Sequence, residues 1–360
     1  PATEQTREAY MAALFAEIGG RAKDYSDRTV TSIFIGGGTP SLLSGEQIGQ
    51  LMDRIREQFA MAQDAEITME VNPGTVSAEK LRNFYTAGIN RLSIGMQSAQ
   101  AEELKNLGRI HDFEGFCQVY REAVEAGFTN INVDIMSGLP GQTLASYRDT
   151  LEKVLHLEPM PQHISAYSLI VEEGTPFAAM AERGELPLPE EETERAMYEE
   201  TIEVLAKYGF HRYEISNYAR DGYECRHNVG YWIRRDYLGF GIGAASLIDN
   251  VRFQNEKSLG AYLAHPLESR EEEQTLTVQD RMEETMFLGL RLTRGVSCVD
   301  FAEQYGRTVE EVYGEVIARN VADGLLTVTE RKENQKKDRF LALTKRGLDL
   351  SNYVMAQFLF

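Results

Sequence analysis

Five short apolar segments recur in the first half of the chain, and each ends in Gly, Pro, Ser or Asn punctuation. They are rich in Val, Ile and other apolar residues and are too short for core helices, so they predict buried strands. The segments are VTSIFIGGGTP (30–40), EITMEVNPG (66–74), INRLSIGMQS (89–98), NINVDIMSGLPG (130–141) and HISAYSLIV (163–171).

The stretches between these segments predict helices. Ser44 followed by Gln47 has the form of a capping box ahead of the helix GEQIGQLMDRIREQF. Ser77 is expected to cap the helix AEKLRNFYTAG, which ends at Gly88. Alternating strands and helices predict a parallel sheet with right-handed crossovers. Ligands bind at the carboxyl edge of such sheets.

The pattern changes after about residue 180 and again after about residue 270. An acidic helical stretch is followed by a segment dense in aromatic residues and glycine. Helices, a hairpin-like segment and a last helix then predict a winged-helix-like α+β module. We therefore predict a parallel α/β domain over 1–180, an extension over 181–270 and a C-terminal domain over 271–360. Because the chain begins with a helix, we expect a further strand upstream of Pro1.

Acidic residues dominate the composition, with 56 Asp and Glu against 37 Lys and Arg and a formal net charge of −19. This charge opposes nucleic acid and anionic lipid. The predicted hairpin carries five basic residues, which we interpret as a solvated surface: Arg331, Lys332, Lys336, Lys337 and Arg339. We see no apolar run of roughly 20 residues and no signal peptide. We therefore expect a cytoplasmic protein without an integral membrane segment or a nucleic-acid partner.

The three cysteines are Cys117, Cys225 and Cys298, and they lie far apart in the sequence. Their spacing predicts neither a disulfide framework nor a local zinc or iron–sulfur motif. A phosphate-binding loop and hydrolytic signatures are also absent from the sequence.

Polar residues stand near the carboxyl ends of successive predicted strands. Gly36–Gly38 with Thr39 follow the first predicted strand, and Glu70, Gln97 and Asp134 lie on the next three. A charge on a buried strand is costly unless it is paired or faces a ligand. Arg109 follows in LGRIHD and offers a bidentate fork to a carboxylate. Taken singly, each residue also fits a structural role. Together they predict a ligand with carboxylate and hydroxyl or amino groups.

Five motifs in this order resemble the radical S-adenosylmethionine (SAM) core of the coproporphyrinogen III oxidase-like group: FIGGGTPSLL, MEVNPG, RLSIGMQS, LGRIHD and VDIMSGLPGQT. The resemblance implies an α/β fold, a partial (β/α)6 barrel that here lacks its first strand. It also implies SAM contacts, with the arginine on the methionine carboxylate and the acidic and amide residues on the amino and ribose groups. The implied contacts are Gly37, Gly38, Thr39, Glu70, Gln97, Arg109 and Asp134.

In this family the first strand carries a C-x-x-x-C-x-x-C loop that holds a 4Fe-4S cluster and leaves one iron for SAM. The sequence begins after that point, so we expect the loop upstream of Pro1 in a full-length form. The chain as given is expected not to cleave SAM, and no catalytic residue is assigned. Natural loss of the cluster is the alternative.

A second motif, H-N-x-x-Y-W, contains the single tryptophan of the chain. It is similar to a signature of heme chaperones within the same group. The resemblance implies heme binding, with His227 as the iron ligand and with Tyr231 and Trp232 as flat apolar surface. A buried structural His–Asn pair beside core aromatics is the alternative interpretation. Cys225 is an alternative thiolate ligand or a small buried hydrophobe.

The function implied is transfer of heme to apo-hemoproteins, with SAM and a 4Fe-4S cluster in the full-length form. One alternative is an oxygen-independent coproporphyrinogen III oxidase, against which H-N-x-x-Y-W argues. Another is a heme carrier without a cluster. One departure from the family pattern is Ala245, which stands where a histidine is common and predicts weaker heme affinity if that histidine holds the porphyrin. The acceptor protein and the oligomeric state stay open.

Overall fold

The computed structural model describes residues 3–268, 270–333 and 336–359. The strands are β1 (Thr29–Ile35), β2 (Ala60–Val71), β3 (Arg91–Gln97), β4 (Ile131–Ser137), β5 (His163–Ser168), β6 (His211–Arg212), β7 (Asn217–Ala219), β8 (Ala245–Ile248), β9 (Val251–Asn255), β10 (Arg270–Thr275), β11 (Val296–Ser297), β12 (Leu326–Glu333) and β13 (Lys336–Leu343). The side chains of Lys332 and Lys336 on the predicted basic hairpin lie outside the described part.

The helices are α1 (Glu4–Arg21), α2 (Gly45–Gln58), α3 (Ala78–Thr86), α4 (Ala101–Asn106), α5 (Phe113–Glu125), α6 (Leu144–Leu155), α7 (Pro176–Glu182), α8 (Glu191–Lys207), α9 (Arg226–Trp232), α10 (Leu259–Ala264), α11 (Val278–Gly289), α12 (Cys298–Tyr305), α13 (Val309–Ala322), α14 (Lys345–Asp349) and α15 (Ser351–Ala356). Among the described residues, no helix has the length and apolar character needed to cross a membrane.

The five predicted strands form one sheet in sequence order, β1 to β5, with every neighbouring pair parallel. The short strands β7 and β6 continue it antiparallel beyond β5. The parallel sheet that the alternation of elements predicts is therefore confirmed, and so is the α/β partial-barrel fold that the family resemblance implies. Two of the predicted helix starts are confirmed as well. Ser44 and Gln47 form a reciprocal capping box, and Ser77 accepts a hydrogen bond from the Lys80 amide at 3.3 Å.

The two faces of this sheet differ in chemistry because successive side chains on a strand point to opposite sides. One face is apolar, with Met69, Leu92, Ile94 and Val133 inaccessible to solvent. The other face carries polar side chains at the alternate positions. The strands therefore combine a hydrophobic layer that stabilises the fold with a polar interior that can bind a ligand.

The chain divides into two compact units. The barrel unit comprises Thr29–Arg212 and Ser216–Glu224, and the C-terminal unit comprises the described residues before Thr29, Tyr213–Ile215 and those from Cys225 onward. The predicted division into 1–180, 181–270 and 271–360 follows the sequence alone and stays a prediction.

Within the C-terminal unit, α11 to α13 are followed by the β12–β13 hairpin, and β11 pairs with β13. This arrangement confirms the winged-helix-like module. Its core includes Met286, Phe301, Tyr313 and Phe358. The predicted last helix is broken into two pieces, α14 and α15.

A buried carboxylate ties α1 into the C-terminal unit. Glu17 is fully buried and pairs with Arg21 at 2.9 Å. It also accepts hydrogen bonds from the Asn255 amide at 2.7 Å, the Tyr262 hydroxyl at 2.7 Å and the Gly241 amide at 2.9 Å. Four donors satisfy one buried charge, which is the condition under which such a charge is tolerated.

Candidate functional site

Strand register brings the predicted polar residues to one edge of the barrel sheet. Glu70 on β2 lies opposite Ser93 on β3. Asp134 on β4 lies opposite Gly95, two residues further along β3. Gly36 follows the last residue of β1 and comes beside Glu70. The carboxyl ends of three neighbouring strands therefore present their polar side chains to a common space.

The glycine-rich turn after β1 wraps the Glu70 carboxylate. The Gly37 amide donates to Glu70 Oε2 at 3.1 Å. Gly37 and Gly38 have φ of 82° and 66°, a region that disfavours other residues. A Cβ on Gly36 would lie 2.7 Å from the Phe34 ring and 3.0 Å from the Glu70 carboxyl carbon. The backbone conformation of Gly37 and Gly38 and the close neighbours of Gly36 thus explain why glycine occupies these three positions. Thr39 follows them directly and is half-buried.

Asp134 is held by neighbours on the polar face. Asn132 Nδ2 donates to Asp134 Oδ1 at 2.7 Å, and Ser93 Oγ donates to Oδ2 at 3.2 Å. Burial raises the pKa of the Asp134 carboxyl, against hydrogen bonds from Asn132, Ser165 and Ser93 and the charge of Arg91, which lower it. The hydrogen bonds and the charge of Arg91 therefore do not fully offset the cost of burying the ionised carboxylate.

The two carboxylates also act on each other. Burial raises the pKa of Glu70, the Gly37 amide lowers it, and the charge of Asp134 raises it further. Two acids that repel in a partly desolvated site favour a cationic ligand group between or beside them.

Arg109 is positioned by the end of α4. Gly108 adopts a left-handed conformation with φ of 66°, and the Arg109 amide donates to the Leu104 carbonyl at 2.9 Å. Burial lowers the pKa of the Arg109 guanidinium, and the Asp134 charge opposes that shift. Within the described part of the chain, this half-buried guanidinium has no hydrogen-bond or ion-pair partner. It is therefore available to an anionic group.

Gln97 ends β3 in an unusual conformation, with φ of 68°, at a register shift against β4. Its amide folds back over Gly95, where an added Cβ would lie 2.8 Å from Gln97 Nε2. Gly95 thus leaves the room that the amide occupies. Gln97 is buried and has no hydrogen-bond partner for its side chain among residues 3–268, 270–333 and 336–359.

Two loops at this edge are joined by residues that sequence reasoning missed. Ser41 Oγ lies 2.6 Å from Thr75 Oγ1 and accepts from the Asn72 amide at 3.1 Å. Lys80 Nζ donates to the carbonyls of Ser41 at 2.5 Å and Thr75 at 3.0 Å. A serine after a Gly-rich turn carries no sequence signal of such a contact, since it depends on the β1–β2 register.

Replacing Glu70 with glutamine is expected to raise the free energy of unfolding of the ligand-free protein near pH 7. The pKa of Glu70 is raised above its ordinary value of 4.5 in the folded state. A raised carboxyl pKa means that the folded state loses stability as the pH rises through that range. Urea unfolding from about pH 4 to pH 8 should show the difference between Glu70→Gln and wild type shrinking toward acid. A constant difference over this range would contradict the prediction.

The H-N-x-x-Y-W residues lie on α9 in the C-terminal unit. His227 Nε2 lies 3.2 Å from the Tyr231 hydroxyl, and the two rings meet edge to face at 4.9 Å. Tyr231 in turn contacts the Tyr237 ring at 4.6 Å. The structure therefore brings His227 and Tyr231 together, one helical turn apart.

Trp232 makes different contacts. The Arg291 guanidinium lies over its ring at 4.3 Å, and Arg291 also lies 3.8 Å from Glu214. Trp232 Nε1 is buried without a hydrogen-bond partner in the described residues. Cys225 is fully buried at the start of the helix. Tyr231 therefore packs against His227 and Tyr237, whereas Trp232 packs against Arg291.

The described residues contain no group of three or more His, Cys, Asp or Glu side chains that could hold a metal ion. Cys117 lies in the barrel unit, and Cys225 and Cys298 lie in the C-terminal unit. These thiols do not fit a 4Fe-4S cluster, so no chemical step is derived through one.

Comparison with known proteins identifies the family of this fold. The Radical SAM superfamily model matches residues 3–154, and the HemN C-terminal domain model matches residues 276–350. The solved structure of coproporphyrinogen III oxidase (HemN) from Escherichia coli is similar, with a TM-score of 0.82 and 26% identity, and covers 99% of this chain and 84% of that one.

Curated relatives agree over most of the length. Heme chaperone HemW of Bacillus subtilis is 38% identical over 362 residues, which is 99% of this chain and 92% of that protein. Heme chaperone HemW of Escherichia coli is 35% identical over 332 residues, or 90% and 85%. The family models, the curated relatives and the fold define a radical SAM protein of the coproporphyrinogen oxidase-like group. Within that group, the chain belongs to the HemW family.

Proposed function

We propose that the chain is a cytoplasmic heme chaperone that binds heme and transfers it to apo-hemoproteins. The observation that carries this proposal is the match to curated heme chaperones over 99% of the chain and more than nine-tenths of their length. The H-N-x-x-Y-W helix supports it, because an imidazole is a suitable ligand for heme iron.

We propose that SAM binds at the carboxyl edge of the barrel unit. Arg109 would hold the methionine carboxylate through its unpaired guanidinium. Glu70, Gln97 and Asp134 would hold the amino group and the ribose hydroxyls, and the backbone of Gly37–Gly38 with Thr39 would line the site. The raised pKa of both carboxyls supports this proposal, because a cationic ligand supplies the compensation that the chain itself lacks.

In radical SAM proteins, SAM supplies radical chemistry together with a 4Fe-4S cluster. The chain's own contribution at this site would be to orient the carboxylate, amino and ribose groups. The half-buried positions of Arg109, Glu70 and Asp134 support this role, because each side chain is partly fixed and still reachable.

For heme, we propose His227 as the axial ligand. Iron binding at Nε2 would replace its contact with the Tyr231 hydroxyl, and the Tyr231 ring already lies against the imidazole. Tyr231 and Trp232 would offer apolar surface to the porphyrin. Because the Arg291 guanidinium covers one face of the Trp232 ring, a porphyrin on that face would have to displace it.

Titration of the full chain with hemin is expected to give a shifted Soret band, and His227→Ala is expected to weaken binding about tenfold or more, since tenfold corresponds to about 1.4 kcal/mol. His265→Ala is the matched control, because His265 is an exposed histidine of the same unit. An unchanged spectrum and affinity in His227→Ala would rule out His227 as the ligand. Transfer of bound heme to apomyoglobin, followed at the Soret band, tests the chaperone activity itself.

One specific observation favours a second candidate. The likeness to coproporphyrinogen III oxidase extends over 99% of the chain, so decarboxylation of coproporphyrinogen III is the alternative activity. The assay is anaerobic and uses SAM, a reductant and a full-length form that carries the C-x-x-x-C-x-x-C loop, and its product is protoporphyrinogen. Sustained turnover would replace the chaperone proposal.

A further inference from the structure

A chain of buried side chains runs across the polar face of the sheet to Asp134. His163 on β5 is fully buried and its Nδ1 lies 2.6 Å from Asn132 Oδ1 on β4. Ser165 Oγ donates to the same oxygen at 3.1 Å. Asn132 is 2% exposed and donates from Nδ2 to Asp134 Oδ1 and to Ser93 Oγ, both at 2.7 Å. His163, Ser165 and Asn132 lie outside the five motifs that carry the family resemblance.

The carboxylate fixes the orientation of the Asn132 amide. An ionised carboxylate only accepts hydrogen bonds, so the NH2 group of Asn132 has to face Asp134. Its carbonyl oxygen then faces His163 and Ser165. Since an amide oxygen also only accepts, His163 has to present a proton on Nδ1 to make its 2.6 Å contact.

The hydrogen bonds of the network therefore run in one direction: His163 and Ser165 donate to Asn132, and Asn132 donates to Asp134. Ser93 Oγ accepts from Asn132 Nδ2, which leaves its hydroxyl proton to Asp134 Oδ2 at 3.2 Å. Asp134 Oδ1 has the shorter contact, at 2.7 Å from Asn132. Oδ2 has the longer one, and it is the carboxylate oxygen with more capacity for a ligand.

Burial keeps the imidazole neutral, as this arrangement requires. The pKa of His163 is well below its usual range because of burial, and the charge of Arg91 lowers it further. A neutral imidazole has one proton to place, and the Asn132 oxygen selects the nitrogen that carries it.

We propose that His163 and Asn132 are positioning residues that orient the Asp134 carboxylate for SAM. The inference rests on the proposed binding of SAM at this site. His163 contacts Asn132, which in turn contacts Asp134, so we expect its removal to change the geometry of Asp134 without removing a proposed ligand contact. Networks of buried polar side chains act in this way when every member is satisfied.

The experiment compares two substitutions of equal size at one position in the full chain. His163→Asn keeps a donor near the place of Nδ1, and His163→Leu removes it. Both leave a similar cavity, so they should lower the melting temperature by similar amounts. Equilibrium dialysis with radiolabelled SAM is expected to show about tenfold weaker binding for His163→Leu, since losing a hydrogen bond near a charge is of this order. His163→Asn is expected to stay within about threefold of wild type by the same conversion.

Three results decide between the possibilities. Wild-type protein that fails to bind SAM would overturn the proposed site and this inference with it. Binding by wild type with equal affinities for the two variants would overturn the positioning role alone. If both variants fail to fold, the imidazole ¹⁵N spectrum of the wild type decides, because a proton on Nδ1 supports the proposal and a proton on Nε2 refutes it.

Discussion

Replacing Arg109 with alanine is expected to weaken SAM binding by roughly tenfold to a hundredfold, the range for hydrogen bonds to charged groups of about 1.5–3 kcal/mol. The guanidinium has no protein partner among the described residues, so the substitution removes a ligand contact and breaks no internal pair. Arg109→Lys should recover the charge but not the two-pronged geometry, and we expect an intermediate affinity.

Stability distinguishes this loss from misfolding. Burial of an unpaired cation is unfavourable and lowers the pKa of Arg109, so Arg109→Ala should unfold at a temperature no lower than wild type. Arg121→Ala is the matched control, because Arg121 is an exposed arginine of the same unit, on α5. SAM affinity of Arg109→Ala equal to that of the control would refute the proposed role of Arg109.

Replacing Glu17 with alanine is expected to lower the free energy of unfolding of the C-terminal unit by about 3–5 kcal/mol, because it leaves a buried partner charge uncompensated. Arg21 would keep its buried position, and Asn255 and Tyr262 would lose their acceptor. Glu17→Gln retains an acceptor oxygen and should be less destabilising.

The fluorescence of the single tryptophan can measure the loss of stability in the unit that contains Glu17. Trp232 belongs to the C-terminal unit, so denaturant unfolding followed by its fluorescence reports on the unit that contains Glu17. Glu8→Ala is the control, since Glu8 is an exposed carboxylate on the same helix and its loss should change stability by less than about 0.5 kcal/mol. Similar midpoints for Glu17→Ala and Glu8→Ala would show that the buried cluster does not stabilise the unit.

The candidate SAM site has the properties of a preformed binding site. Its two carboxylates carry raised pKa values, and its arginine and glutamine have polar groups left unpaired by the described chain. Such groups destabilise the ligand-free fold. Glu70→Gln should therefore stabilise the empty protein and weaken SAM binding, which is the behaviour expected where function opposes stability.

The strands of the barrel sheet and two helix starts could be predicted from the sequence, and the site residues proposed for SAM stay a prediction. Alternating apolar segments predicted β1 to β5, since a buried parallel strand needs a short run of branched apolar residues. Ser44 with Gln47 and Ser77 predicted helix starts, because caps act within one turn. The polar residues Glu70 and Asp134 stood out because a charge inside such a run is costly unless it has a partner.

Only the tertiary structure decided how those residues are held. A side chain at Gly36 would meet the Phe34 ring and also the Glu70 carboxyl, which the pairing of β1 with β2 places beside it. His163 joins Asp134 through Asn132 because β4 and β5 pair in one particular register. Apart from Arg21 on the same helix, the partners of Glu17 lie more than 220 residues away in sequence. Local rules describe neighbours within a turn or a strand, whereas these contacts depend on which distant strands and helices meet.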